Sequence, residues 1–322
     1  MKSLTFGKLR GLEKCATTKG GLAILALDHR NNLRAALNPT HPELISNDNL
    51  SNFKLEVTKA LVPNASSILL DPEVGAFQAI ASKALPGKTG LIVALEATGY
   101  DGNPSERESH ILTSWSVEKA KRMGADAVKL LVYYHPNSKK ATQIKELVLH
   151  VADECNKLDM LFILEPLTYS INPTQKTITG DDCKQTVIET ARQLTVCGGD
   201  ILKTEFPLDI MKFPDKSDWT RACSELSESI HIPWVLLSAS VDFDIFLKQV
   251  EIACRNGASG VAVGRAVWKE AAEINSKERK VFLMDIATKR MKRIKMLVES
   301  CALPFTKYYE APNVNAFTYK DY

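Results

Sequence analysis

The sequence lacks the features that mark several large classes of protein. No apolar stretch in its 322 residues is long enough to span a bilayer, and the residues after Met1 contain no apolar core typical of a signal peptide. The formal net charge of +3 is too near neutral to indicate binding to nucleic acid or to a membrane surface. Neither a P-loop nor a Gly-x-Gly-x-x-Gly turn is present.

Cysteine and histidine occur without the spacings that hold disulfides or metals. The seven cysteines are scattered, and none forms a Cys-x-x-Cys pair. An odd, scattered set in a chain of this size indicates reduced thiols, so we expect a cytoplasmic protein. None of the six histidines falls in His-x-His or His-Glu-x-x-His spacing. Metal catalysis is therefore not favoured, and we expect neither a metal nor another cofactor.

What the sequence does contain is a regular series of short apolar runs. Eight of them recur roughly 25–45 residues apart, with amphipathic stretches between them. They occupy residues 22–28, 67–71, 91–96, 127–133, 161–165, 201–207, 234–238 and 260–265. Strand, helix and strand repeated in this way are typical of a (β/α)8 barrel, the TIM barrel. We predict a single α/β domain over residues 1–322, with the barrel at about 20–300 and a C-terminal tail at 303–322.

The stretches between the apolar runs have the spacing of amphipathic helices. Apolar residues recur at steps of three and four in residues 117–123, 143–158 and 246–254, and Gly257 is placed to end the last of these. A leader helix is expected before the first strand, at about residues 12–15.

Polar residues stand where most of the predicted strands end. In a barrel of this kind the functional site lies at the carboxyl ends of the strands, so we expect these side chains to face one pocket. The residues that close the runs are Asp28, Asp71, Glu96, Glu165, Ser238 and Arg265, and Lys129 and Lys203 lie inside two of the runs.

Lys203 is the most informative of these residues because apolar residues surround it. A lysine in a buried strand is either paired, here with Glu205 or another carboxylate, or kept neutral, since burying an unpaired ammonium is costly. Desolvation lowers the pKa of a lysine, and a partly deprotonated lysine is a nucleophile toward carbonyls.

Two further residues extend this chemistry. Lys129 is expected to project toward the same axis, and a second ammonium nearby disfavours protonation of the first. This arrangement suits a Schiff base with a ketone, whose iminium draws electrons from the adjacent carbon–carbon bond. Glu165 is placed to shuttle protons through these steps, or to form a structural ion pair with one of the lysines; the two roles can coexist.

The last two strands lead into segments suited to binding an anion. In barrels of this fold the loops after strands seven and eight often hold a phosphate through backbone N–H groups and a helix N-terminus. Ser238 and Gly264 begin these loops, and Arg265 adds a charged fork suited to phosphate or sulfonate. The alternative is that Arg265 pairs with a neighbouring acid.

Taken together, these motifs resemble the class I tagatose-1,6-bisphosphate aldolase family. They run in the family's order from about residue 20 to 270 and are specific as a set. The resemblance is carried by residues 25–30 (LALDHR), 70–75 (LDPEVG), 98–101 (TGYD), 124–129 (GADAVK), 164–165 (LE), 202–203 (LK), 237–239 (LSA) and 264–266 (GRA).

The resemblance implies a role for each matching residue. Lys203 is similar to the Schiff-base lysine, and Lys129 and Glu165 are similar to its catalytic neighbours. Asp28 resembles a ligand of a substrate hydroxyl, and with Arg30 of the same motif it is expected to bind substrate. The phosphate of the dihydroxyacetone-phosphate half is expected at Ser238, Ala239, Gly264 and Arg265.

The sequence also departs from this family. His29 stands where a glutamine is usual, Ala97 replaces a lysine, and Ser240 stands where a glycine is common. Residues 164–166, 232–238 and 264–268 are more similar to the related sulfofructose-phosphate aldolases. The two relatives share the barrel, the lysine chemistry and dihydroxyacetone phosphate, and they differ in whether a phosphate or a sulfonate ends the sugar.

We therefore predict a class I aldolase that cleaves a ketohexose bisphosphate to dihydroxyacetone phosphate and glyceraldehyde 3-phosphate. Tagatose 1,6-bisphosphate is the leading candidate for the substrate. The alternative is a 6-deoxy-6-sulfofructose-1-phosphate aldolase, which gives dihydroxyacetone phosphate and sulfolactaldehyde. A second alternative is a regulator that binds a sugar phosphate without turnover; the complete set of Lys203, Lys129 and Glu165 argues against it. A homo-oligomer is expected, and no nucleic acid or membrane partner.

Overall fold

Eight parallel strands close into a barrel. The structure, a computed structural model, describes residues 1–322 except for the side chain of Asp321. Each strand pairs with the next one along the chain, and the eighth pairs with the first. The strands are Leu22–Leu27 (β1), Ser67–Leu70 (β2), Gly90–Ala94 (β3), Ala127–Tyr134 (β4), Leu161–Thr168 (β5), Ile201–Thr204 (β6), Trp234–Leu237 (β7) and Gly260–Val263 (β8). The predicted fold class is confirmed.

Helices surround the barrel. They are Phe6–Cys15 (α1), Asn31–Leu37 (α2), Asn47–Leu61 (α3), Phe77–Ala81 (α4), Val117–Arg122 (α5), Ala141–Lys157 (α6), Asp181–Thr195 (α7), Lys216–Glu228 (α8), Phe243–Arg255 (α9), Arg265–Glu273 (α10), Ser276–Phe282 (α11), Thr288–Cys301 (α12) and Thr318–Asp321 (α13). Short 3₁₀ turns lie at Pro42–Leu44, Val62–Asn64 and Phe305–Lys307, and π-helical turns at Pro72–Ala76 and Leu283–Ala287. No helix in the described part of the chain has the length and apolar character needed to cross a membrane.

The helices predicted from periodicity are confirmed, with shifted ends. Residues 117–123, 143–158 and 246–254 correspond to α5, α6 and α9. Gly257 follows α9 with φ +104°, and a Cβ there would lie 2.5 Å from the Ser227 hydroxyl, so glycine suits this turn. The leader helix is longer than predicted, because α1 begins at Phe6 rather than near residue 12.

The inward-facing side chains of the strands form a core inside the barrel, and α1 closes its amino-terminal end. Leu12 and Cys15 of α1 pack against inward residues such as Ile163 and Ile201. A Cβ at Gly11 would lie 2.4 Å from the backbone oxygen of Asp126, so the absence of a side chain lets the helix approach the barrel this closely. The open end of the barrel is therefore the opposite one, where the strands end.

The two-residue period of the strands determines which polar residues reach that open end. Side chains two residues apart in a strand lie on the same face. Lys203 follows the inward Ile201 by two residues, Glu165 follows Ile163, and Lys129 follows Ala127. All three are buried within the barrel, above the apolar core.

The ends of the chain meet at the closed end of the barrel. Lys2–Ser3 pairs in parallel with Tyr309–Glu310. The hydroxyl of Tyr309 donates a hydrogen bond to the backbone oxygen of Asp200 at 2.7 Å, and the ring of Phe6 packs edge-on against Tyr322. The tail therefore covers the face opposite the predicted pocket.

Candidate active site

A cavity of about 410 Å³ opens at the carboxyl ends of the strands. It brings together nearly all the residues that the sequence predicted for the site. Those lining it are Asp28, Arg30, Glu165, Lys203, Ser238, Ala239, Gly264 and Arg265. Lys129 is fully buried and contacts the lining residues Asp28 and Glu165.

Lys203 of β6 is paired with a carboxylate and still lines the cavity. Its Nζ lies 2.6 Å from Glu165 Oε1, and the residue is 5% exposed. The partner suggested by the sequence, Glu205, is engaged elsewhere: one of its oxygens accepts hydrogen bonds from Thr168 N and Oγ at 2.9 and 2.8 Å. Lys203 is therefore paired with a carboxylate other than Glu205, which the sequence left open, and it still lines the cavity.

Lys129 of β4 lies among three carboxylates. Its Nζ is 2.7 Å from Asp28 Oδ2, 2.5 Å from Glu96 Oε1 and 3.1 Å from Glu165 Oε2. Burial alone would lower the pKa of Lys129, but the charges of Asp28, Glu165 and Glu96 outweigh it and raise that pKa well above its usual value. Lys129 is therefore a fixed cation.

The same cluster lowers the pKa of Asp28, whereas it raises that of Lys129. Burial would raise the pKa of its carboxyl, but the charges of Lys129 and Lys203 outweigh burial and hold it well below the usual range. Asp28 is therefore an anion that accepts hydrogen bonds at the edge of the cavity.

Glu165 bridges the two lysines, one on each of its oxygens. A proton transferred from Lys203 to Glu165 across 2.6 Å would leave a neutral amine facing the cavity. Lys129 remains charged on the other side and offsets the negative charge of the neighbouring acids. The arrangement can thus supply a nucleophile and a proton shuttle from the same contact.

The opposite part of the cavity carries features of an anion site. Gly264 N donates a hydrogen bond to the Ser238 hydroxyl at 3.3 Å, and α10 begins at Arg265 directly after it. Arg265 forms no ion pair within the described part of the chain, so the predicted alternative of pairing with an acid is not found. Burial lowers the pKa of its guanidinium, although Asp28 acts in the opposite direction. Its charge is available to a ligand.

Two charged residues that follow strands, Arg30 and Asp71, form contacts with other protein groups. Arg30 lines the cavity, but its Nη1 lies 2.6 Å from Glu73 Oε2 and its Nη2 donates to the backbone oxygen of Glu96 at 2.9 Å. Asp71 does not line the cavity: it is fully buried and pairs with Lys54 of α3. The expectation that all six strand-end residues face one pocket was wrong for Asp71.

Glu96, Glu205 and Tyr133 also line the cavity, and of these only Glu96 was expected to face it. Glu96 was visible as a strand-end acid. The signal for Glu205 was its position two residues after Lys203, on the same face of the chain. Burial raises the pKa of Glu205, partly offset by the hydrogen bonds from Thr168.

His29 is a mostly buried, neutral residue beside the anion site, with its side chain 19% exposed. Burial lowers its pKa to about 3, with Asp28 acting against that shift. The imidazole lies edge-on to Trp268, with the ring centres 5.2 Å apart. A Cβ at Gly264 would come within 3.0 Å of the ring, so the glycine leaves room for the histidine.

We expect His29→Gln to make the folded protein less sensitive to acid. An unfolded histidine binds a proton near pH 6.5, whereas folded His29 does so only near pH 3. The unfolded state binds more protons between these values, so this residue lowers the free energy of unfolding as pH falls below about 6.5. Urea unfolding of both proteins at pH 7 and pH 4 measures the effect; the variant should lose roughly 3 kcal/mol less over this interval. Equal losses of unfolding free energy in the two proteins would contradict the assignment of His29 as a neutral residue in the folded state.

An amine that can form a Schiff base, held in the mouth of a (β/α)8 barrel, is the defining feature of a class I aldolase. Comparison with known proteins agrees: residues 22–270 match the DeoC/LacD family aldolase profile. The chain belongs to the DeoC/LacD aldolase family. It is an aldehyde-lyase, which makes the alternative of a regulator without turnover the weakest of the three.

Individual relatives are similar over most of their length. A tagatose 1,6-diphosphate aldolase of Staphylococcus epidermidis is 32% identical over 289 residues, covering 84% of this chain and 88% of that protein. One of Listeria monocytogenes is 31% identical over 297 residues, covering 86% of each. Among solved structures, an archaeal fructose 1,6-bisphosphate aldolase has a TM-score of 0.61 at 22% identity and covers 91% of this chain and 99% of that one. The similarity to the archaeal structure, at 22% identity, shows the fold alone.

Proposed function

We propose that this aldolase cleaves tagatose 1,6-bisphosphate to dihydroxyacetone phosphate and glyceraldehyde 3-phosphate through a Schiff base on Lys203. The observation that carries the proposal is the contact of Lys203 Nζ with Glu165 Oε1 at 2.6 Å in a cavity that also presents Arg265. The names of the relatives at about 30% identity support the substrate.

In the proposed mechanism Lys203 passes a proton to Glu165 and attacks C2 of the open-chain ketose. Glu165 returns that proton to the former carbonyl oxygen to give the carbinolamine, then transfers a second proton from the nitrogen to this hydroxyl, which leaves as water and gives the iminium. Glu165, ionised again after the loss of water, then takes the proton of the C4 hydroxyl while the electrons of the C3–C4 bond move to the iminium, and the aldehyde departs. Protonation of the enamine at C3 and hydrolysis release dihydroxyacetone phosphate and restore Lys203.

The remaining residues hold the substrate in this proposal. Asp28, an anion fixed by Lys129, accepts a hydrogen bond from a substrate hydroxyl. Arg30 stabilises this edge of the cavity through Glu73 and the backbone of Glu96. The phosphate on C1 binds at Ser238, Ala239, Gly264 and Arg265, at the start of α10.

A sulfonated sugar phosphate is the second candidate, and one observation favours it. Ala97 lines the cavity where the bisphosphate-cleaving family usually has a lysine. A lysine there would suit a dianionic phosphate, and its loss weakens that preference. The same Schiff-base chemistry would then yield dihydroxyacetone phosphate and sulfolactaldehyde.

A panel of tagatose 1,6-bisphosphate, fructose 1,6-bisphosphate and 6-deoxy-6-sulfofructose 1-phosphate, run with and without borohydride, tests the function. We expect the highest kcat/KM with the tagatose substrate and substrate-dependent inactivation by borohydride with each substrate that is turned over. Borohydride without substrate is the control. Absence of turnover and of inactivation with all three would contradict the proposal, whereas preference for the sulfonated sugar would select the second candidate.

The proposal extends to the organisation of the protein. We place a single domain, residues 1–322, in the cytoplasm, supported by the pairing of the two chain ends and by the free thiols of all seven cysteines. A homo-oligomer is supported by apolar side chains exposed along α11 and the turn after it, namely Val281, Met284 and Ile286.

A further inference from the structure

The two sides of the cavity differ in charge. Arg265 follows β8, and in a closed barrel of eight strands β4 lies across from β8. Four acids line the cavity: Asp28 follows β1 next to Arg265, whereas Glu96 follows β3, Glu165 lies in β5 and Glu205 follows β6. A sugar whose C1 phosphate lies near Arg265 would extend its other end toward β4. An anionic group there needs a cation of its own.

The segment after β3 reaches over this side as a rigid hairpin. Ala97 N donates to His110 O at 2.8 Å, and Asp101 and Glu108 exchange two backbone hydrogen bonds of 3.0 Å. The Ser109 hydroxyl accepts a hydrogen bond from Tyr133 N at 2.9 Å, which ties the hairpin to the end of β4. The segment 97–111 is therefore fixed against the cavity wall.

Arg107 of this hairpin is enclosed by aromatic rings. Its guanidinium carbon lies 4.6 Å from the ring centre of Tyr100, 5.1 Å from that of Tyr133 and 5.0 Å from that of Tyr169. The tyrosines come from three different segments, and Tyr133 lines the cavity. The guanidinium thus lies against a residue that lines the cavity.

The hydrogen-bonding groups of Arg107 are largely unused. Its Nε donates to the backbone oxygen of Pro104 at 3.0 Å, and it forms no ion pair within the described part of the chain. The residues on either side of it in the sequence do form ion pairs: Glu106 pairs with Lys139, and Glu108 pairs with Lys140. Acids are therefore close by, yet this arginine pairs with none of them.

The chemistry of guanidinium explains what such an arrangement can bind. Aromatic rings contact the faces of the planar group, whereas anions bind its N–H edge as a fork. Contacts with three tyrosine rings restrain the side chain of Arg107, and its two terminal nitrogens form no hydrogen bond within the described part of the chain. The rings reduce its hydration without neutralising its charge.

We propose that Arg107 binds the anionic group at the far end of the substrate, the phosphate or sulfonate on C6, and sets the preference for doubly charged sugars. The proposal rests on the proposed function, since it takes the C1 phosphate to lie at Arg265. It also accounts for Ala97, because a cation from the other strand of the hairpin replaces the lysine usual at that position.

The test compares tagatose 1,6-bisphosphate with tagatose 1-phosphate, which lacks the distal anion, in wild type, Arg107→Met, Arg107→Lys and Arg265→Ala. The readout is the ratio of kcat/KM for the two substrates. Arg107→Met should lower this ratio about 10- to 100-fold, and Arg107→Lys should lower it less. Arg265→Ala should raise KM for both substrates and keep the ratio, because both carry the C1 phosphate. A third arm with sulfofructose 1-phosphate shows whether phosphate or sulfonate gains more from Arg107.

Equal losses with both substrates in Arg107→Met would assign Arg107 a structural role and overturn the proposal. Calorimetric binding of tagatose 1,6-bisphosphate separates this inference from the proposed function. If the wild type binds the sugar without turnover, the function is wrong; a Kd raised about tenfold or more in Arg107→Met would still support the inference. If the wild type does not bind it, or the variant binds it equally well, the inference is overturned.

Discussion

Lys203→Met is expected to abolish both turnover and the covalent adduct that borohydride traps with dihydroxyacetone phosphate. Methionine preserves the length and apolar stem of the side chain but has no amine to attack a ketone. Loss of a catalytic nucleophile lowers turnover by at least about a thousandfold. Mass spectrometry of peptides from the trapped wild-type enzyme should locate the three-carbon adduct on Lys203, and the variant should carry none.

The fold of this variant should survive, which makes the result interpretable. Glu165 loses Lys203 but keeps Lys129 at 3.1 Å. An unchanged far-ultraviolet circular dichroism spectrum is the control. An adduct found on Lys129, or turnover in the wild type without an adduct and without metal, would show that the assignment of the nucleophile is incorrect.

Lys129→Met is expected to damage the enzyme in a different way. It leaves the buried carboxylates of Glu96 and Glu165 and the mostly buried carboxylate of Asp28 without their common cation. Removing one partner from a buried ion pair costs about 3–5 kcal/mol. Turnover should fall about a hundredfold or more, since Glu165 is then poorly placed for proton transfer, but the adduct should still form on Lys203.

The stability loss of Lys129→Met should depend on pH. In the wild type, the lowered pKa of Asp28 gives a contribution present above about pH 4 and lost as pH falls through that lowered value. In the variant the acids bind protons at higher pH, so their repulsion is relieved on acidification. Urea unfolding at pH 5 and pH 8 should therefore show the larger deficit at pH 8. Equal deficits would indicate that Lys129 is not the ion that balances these acids.

The sequence was sufficient for the fold because each strand is a short apolar run of its own. It was also sufficient for much of the site, since Lys129, Glu165 and Lys203 follow inward-facing residues by two positions in their strands. The predicted roles of these residues stay predictions until the variants are measured.

What the sequence could not show depends on contacts between distant segments. Asp71 resembles the other strand-end acids, and only the packing of α3 brings Lys54 to it. Glu205 and Glu165 were both plausible partners for Lys203, and Thr168 decides between them by engaging Glu205. No local pattern signals such choices, because they are settled by three-dimensional packing.

The cluster of Arg107 with its tyrosines is a similar case. Tyr100, Tyr133 and Tyr169 are separated by more than thirty residues from one another, and none has a spacing that marks it as part of a site. Tyr100 lies in the motif at residues 98–101 and Tyr133 ends the apolar run 127–133, but neither pattern indicates that the rings meet. The hairpin that carries Arg107 had to be seen folded before its position next to the cavity wall was evident.

The pairing of Lys203 with Glu165 has a consequence for the energetics of the reaction cycle. The ammonium of the resting lysine and the iminium of the covalent intermediate both carry one positive charge at nearly the same place. The carboxylate of Glu165 already lies 2.6 Å from the ammonium and is thus in place to stabilise the iminium. The dipoles and charges around the nitrogen need little rearrangement when the carbon–nitrogen bond forms, so the reorganisation energy of that step is small.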